Sequence, residues 1–121
     1  MIGRVFKTAW FAKVARKASI PDADLCRAIK QVAQGQADDL GGGVFKKRLN
    51  DNRHRSIILT RAGHFWVYEY LFAKQDRDNI RDDELVAFRR LAKSYATLSG
   101  QQIEQLLRDG HFREICNDDE A

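Results

Sequence analysis

The stretch that decides the fold is GGGVFKKRLNDNRHRSIIL, residues 41–59. Three glycines lead into a short apolar-basic segment from Val44 to Leu49. Six polar residues follow, and an apolar run opens after Arg55. A period of two marks a strand with one face toward a core. VFKKRL (44–49) and RSIILTR (55–61) therefore read as two strands of a hairpin. Residues two apart share a face of an extended chain. Lys46 and Arg48 then project together, away from Phe45 and Leu49, and Arg55 pairs back toward one of them. The side of Lys47 is open.

FWVYEYLFA (65–73) follows after the turn signal Ala62-Gly63. It is nearly continuous in apolar residues, as in a central strand covered on both faces, or in one covered by helices on one side. These three strands form an antiparallel meander. Upstream, Val5 and Phe6 suit a first strand, and Thr8 can cap a helix bearing Trp10, Phe11, Val14, Ala15 and Ala18. Pro21 opens a second helix with Leu25, Ala28, Ile29 and Val32 inward, and Gly35 stops it. ADDLGGG reads as a loop. Downstream, Leu85, Phe88, Leu91, Tyr95 and Leu98 recur at helical spacing behind an acidic first turn. Ser99 and Gln102 form a capping box for a last short helix, and HFREI is a candidate terminal strand.

The order is β-α-α-β-β-β-α plus a C-terminal helical extension. It predicts an α+β domain, a small twisted antiparallel sheet with two N-terminal helices packed on it. The 121 residues make one domain, with residues 99–121 as extension and acidic tail. No apolar run reaches the roughly 20 residues of a membrane span, and the N-terminus lacks a secretory leader. A cytoplasmic protein with no membrane contact is expected. Cys26 and Cys116 fit no metal spacing and read as reduced thiols, a disulfide being the alternative.

The net charge is +4, and it is unevenly spread. Residues 44–77 hold eight basic and three acidic side chains; residues 78–121 hold six and ten. A basic middle points to a polyanion, with nucleic acid the commonest. His54, His64 and His111 have no ligand spacing, and LGGGVFKK lacks the pattern of a phosphate-binding loop, so neither metal nor cofactor is expected. Lys74 and Arg77 leave the third strand of the meander near the hairpin. Cations gathered there would repel one another unless a phosphodiester lay among them. They could also stabilise the extra charge of a phosphorane-like transition state. Cleavage of RNA without a metal needs the neighbouring 2′-OH as nucleophile, a base and an acid. A lysine of lowered pKa or His54 could serve.

FKTAWFAK (6–13), LGGGVFKKRL (40–49), RSIIL (55–59) and YLFAKQDRDNIRDDEL (70–85) resemble RelE/HigB-type toxins of bacterial toxin–antitoxin modules, in the RelE/ParE superfamily. The resemblance spans roughly residues 4–110. It implies a toxin that cleaves mRNA without a metal, commonly on the translating ribosome, and that is silenced by a cognate antitoxin. By the same resemblance Arg55 and Lys74 meet phosphate and transition-state charge. Lys46 or Arg48 serves proton transfer or positioning. Lys47, Arg53, His54 and Arg77 are further RNA-binding candidates. Arg81 stands nearest the place of the family's C-terminal tyrosine or histidine, and the NDNRHR connection is short for this branch. The alternative is a toxin of the same fold that blocks a protein such as DNA gyrase, as ParE-type relatives do.

Overall fold

The glycines at the head of the opening stretch are a hairpin turn. In a computed structural model describing residues 3–60 and 64–117, the backbone φ angles of Gly41, Gly42 and Gly43 are +84°, +64° and +84°. Gly41 pairs with Val44 across the turn, so Gly42 and Gly43 are its two central residues. Positive φ at both central positions matches the right-handed twist of the flanking strands. The turn joins β2 (Asp38–Gly41) to β3 (Val44–Leu49). The segment expected to be a loop is therefore an edge strand. Asp, Asp and Gly are depleted in strands, so nothing local announces it. It forms because Asp38 and Asp39 find Lys46 and Phe45 as register partners.

Gly43 also sits close against the next strand. A Cβ there would lie 2.7 Å from the Thr60 carbonyl oxygen, whereas one on Gly35, also at positive φ, would meet open space. Gly43→Ala combines backbone strain with a backbone clash and should cost about 2–3 kcal/mol. Gly35→Ala carries the strain alone, about 1 kcal/mol. Urea denaturation of both variants checks the difference, and equal losses would refute it.

The meander follows as read. β3 pairs antiparallel with β4 (His54–Thr60), and β4 with β5 (Phe65–Ala73). The Ala62-Gly63 turn between the last two lies outside the described residues, as does the acidic tail after Asn117. The turn between β3 and β4 carries three successive left-handed residues, Asn50, Asp51 and Asn52, at φ +55°, +53° and +70°. Asn and Asp tolerate this region because their short polar side chains bond locally.

The sheet is not antiparallel throughout. Its order is β2-β3-β4-β5-β1-β6, and β1 (Arg4–Thr8) runs parallel to β5. On its other edge β1 pairs antiparallel with β6 (Phe112–Ile115). Adjacent Val5 and Phe6 are both buried, so β1 needs a place with both faces covered, and the interior position between β5 and β6 supplies one.

Helices cover both faces, not one. α1 (Ala9–Lys17) and α2 (Asp22–Ala33) lie over Val5, Leu49, Ile58, Trp66 and Tyr68. Thr8 caps α1 by accepting the Phe11 N–H at 3.0 Å. α3 (Asp82–Tyr95) and α4 (Gly100–Arg108) take the other face, over Val44, Ile57, Leu59 and Phe72 and over Phe6, Phe65 and Val67. Ser99 and Gln102 form the predicted capping box of α4. Tyr68 is fully buried, and its hydroxyl donates to the Leu25 carbonyl at 2.7 Å.

The cysteines correct the expectation of free thiols. Cys26 of α2 and Cys116, just beyond β6, form a disulfide with their Cα atoms 5.5 Å apart. Their 90-residue separation hides that the sheet order returns β6 to the α2 side of the core.

Candidate functional site

The register sorts the basic residues. Arg48 pairs with Arg55, and Arg55 with Phe72; Lys46 pairs with Ile57, and Ile57 with Tyr70. Val44, Ile57, Leu59 and Phe72 belong to the cluster under α3. By alternation Lys46, Arg48 and Arg55 share that face. Lys47 takes the opposite one, where its ammonium donates to the Gln36 carbonyl at 2.9 Å. Burial, and then the charge of Arg48, lower the Lys47 pKa from the ordinary lysine value.

Arg55 is the unusual member. It is only 7% exposed, yet its guanidinium has no carboxylate partner among the described residues. One nitrogen, NH1, donates to the carbonyls of Asn52 at 2.9 Å and His54 at 3.2 Å. The left-handed turn thus positions the arginine from beneath. Among the described residues no fully enclosed side-chain nitrogen lacks a partner, so the other N–H groups of Arg55 reach solvent. Directly across the strands stands Arg48, exposed and also without a carboxylate partner among the described residues. Like charges directly opposite in a sheet are unfavourable, and a buried cation without a counter-ion is more so. Together they could seat an anion bidentately.

Lys46 borders this seat. Its ammonium lies 3.6 Å from an Asp38 carboxylate oxygen and 3.4 Å from the Asn79 side-chain oxygen. Arg77 comes to the same face but is already matched. It pairs with Glu84, donates to the Tyr70 hydroxyl at 3.3 Å, and lies over the Phe72 ring. The Glu84 carboxyl, held by Arg77 and by the Arg81 backbone N–H, titrates at about 2. Arg81 is exposed at the start of α3 and pairs with Asp83.

Lys74, Arg53 and His54 gather elsewhere, where β4 starts and β5 ends. The Lys74 N–H donates to the Arg53 carbonyl, continuing the ladder. All three line an open cavity of about 580 Å³ with Asn52, Asp51 and Asp78. The Asn50 side-chain oxygen accepts from Arg53 at 3.0 Å, which turns its amide nitrogen toward His54 Nδ1 at 3.2 Å. Nδ1 then accepts, and a neutral His54 carries its proton on Nε2.

Burial, then the charge of Arg53, push the His54 pKa below the ordinary 6.5, against a smaller upward pull from Asp76. A depressed folded pKa means that the unfolded chain takes up the proton first. Stability is full above 6.5 and is lost as pH falls through the folded value. Urea midpoints at pH 7.5 and 5 should show this loss, and His54→Gln should reduce it. An identical pH dependence in the variant would remove His54 as its source.

Reading along the sequence missed Tyr70 and Trp10. Alternation from Phe72 places Tyr70 on the cationic face. Trp10, in the first turn of α1, stacks on it with ring centres 5.2 Å apart and planes 14° from parallel. Nothing in the spacing of α1 announces that contact. Among the described residues no group of three or more His, Cys, Asp or Glu could hold a metal ion, and no helix is long and apolar enough to cross a membrane.

A family model described as the RelE toxin of the RelE/RelB toxin-antitoxin system matches residues 3–115. The chain belongs to the RelE toxin family. As a RelE-family toxin it is one half of a toxin–antitoxin pair, and a cognate antitoxin is its implied partner. No curated protein and no solved structure gives a significant match.

Proposed function

We propose that this RelE-family toxin is a metal-independent endoribonuclease that cuts mRNA on translating ribosomes. The observation that carries the reading is Arg55, a largely buried side chain whose guanidinium is held by backbone carbonyls and has no carboxylate partner among the described residues, facing Arg48 across the strands. A phosphodiester seated there would relieve both charges. Attack by the adjacent 2′-oxygen forms a new P–O bond and breaks the bond to the 5′-oxygen. The products are a 2′,3′-cyclic phosphate and a 5′-hydroxyl. The 2′-OH proton leaves to a base, and the 5′-oxygen receives one from an acid. The two arginines meet the charge that builds on the non-bridging oxygens. Lys46, an ammonium beside the Asp38 carboxylate, is the proton donor in this reading. Lys74, Arg53 and His54 guide the strand past the hairpin end, with His54 Nε2–H as a hydrogen-bond donor.

The test is a translation reaction programmed with a defined message, supplied with wild type or an Arg55→Ala/Lys74→Ala variant. Ends mapped by primer extension should appear with wild type alone. A message left intact by both proteins would remove the nuclease reading. Growth arrest that persists in the variant would then favour the protein-target alternative.

A further inference from the structure

The most exposed large apolar side chain among the described residues is Trp10, at 48%. It is not a stray surface residue. One face lies on the Tyr70 ring, which is itself fixed: Phe72 and Phe88 pack against it, each with ring centres 5.9 Å away, and Arg77 bonds its hydroxyl. β1 makes its last pairing with β5 at Lys7 and Tyr68, so beyond that point β5 keeps β4 on one edge and has lost β1 on the other. α1 starts there and lays Trp10 over Tyr70. Tyr70 and Phe72 share a face, and Phe72 is the register partner of Arg55. Tyr70 is thus a diagonal neighbour of Arg55, roughly 7–8 Å away. An exposed indole backed by a parallel ring, beside two arginines with no carboxylate partner among the described residues, has the makeup of a single-strand binding surface.

We propose that Trp10, backed by Tyr70, is a stacking platform for one unpaired base of the RNA whose phosphate sits on Arg55 and Arg48. This rests on the nuclease reading and adds a contact which that reading does not require. Every base has a π-face, so the platform holds the strand without choosing its sequence. It positions the nucleotide and takes no part in bond making.

The chain has two tryptophans, and Trp66 is buried, so emission changes report on Trp10. The probe is a 2′-O-methyl RNA hexamer, which cannot be cleaved, with an abasic hexamer of equal charge beside it. Wild-type emission should fall on titration with the first and not with the second. Trp10→Ala should weaken binding of the hexamer about tenfold with the salt dependence unchanged. Lys46→Ala/Arg48→Ala should instead flatten the salt dependence by about 0.7 in log–log slope per lost phosphate contact. Trp10→Phe, which keeps a ring, should bind nearer to wild type and lose the signal. If wild type binds with unchanged emission and Trp10→Ala binds equally well, the platform is refuted while the cationic seat stands. If Trp10→Ala weakens only the hold of the co-encoded antitoxin, the platform is a protein contact and the proposal fails. If wild type binds neither hexamer and leaves messages intact, the nuclease reading falls and the platform with it.

Discussion

Arg55→Met is expected to lower message cleavage by about a hundred- to a thousandfold while leaving the protein at least as stable as wild type. The two halves of this result have one cause. Arg55 is 7% exposed and has no carboxylate partner among the described residues. An apolar side chain of similar length keeps the packing of its stem and removes a poorly compensated buried charge. Such replacements are often neutral or stabilising. The Asn52 and His54 carbonyls lose a donor, but they sit at a hairpin end where water can replace it. Arg55→Lys should fall between, since an ammonium keeps the charge and loses the planar fork. Cleavage is read by primer extension and stability by thermal melting of the same samples. Undiminished cleavage by Arg55→Met would take Arg55 out of the reaction. A melting temperature many degrees lower would show that the charge is structural.

The second large effect concerns the Cys26–Cys116 disulfide. It closes a loop of 90 residues in sequence separation, which by chain entropy corresponds to about 4–5 kcal/mol of stability. Reduction, or Cys116→Ser, should lower the melting temperature by roughly 10 °C or more for a domain of this size. A Cys26→Ser/Cys116→Ser variant should melt like the reduced wild type and be indifferent to reductant. Identical melting with and without reductant in the wild type would show that the link contributes nothing to stability.

Much of this molecule was legible in its periodicities. The alternation in VFKKRL put Lys46 and Arg48 together, because strand side chains alternate whatever the sheet around them. Thr8, Gly35 and the Ser99/Gln102 pair marked helix ends, because capping is a local exchange of hydrogen bonds. The meander β3-β4-β5 followed from short connections. What stayed hidden depended on pairings distant in sequence. DDLG has the composition of a loop and is a strand only because β3 offers it a partner.

The sequence by itself determined the helices, their caps and the strands other than β2, and that Lys46 and Arg48 share a side. Tertiary structure alone decided that β1 enters the sheet parallel to β5, that Cys26 meets Cys116, and that helices cover both faces. It also sorted the charges. Arg77 is matched by Glu84, Lys47 lies on the far face, and Arg55 is left buried opposite Arg48 with Trp10 and Tyr70 beside it. Local periodicity records which side of an element is covered, since burial acts residue by residue. It does not record what covers it, because strand pairing, ion pairing and ring stacking depend on contacts between residues far apart in the chain.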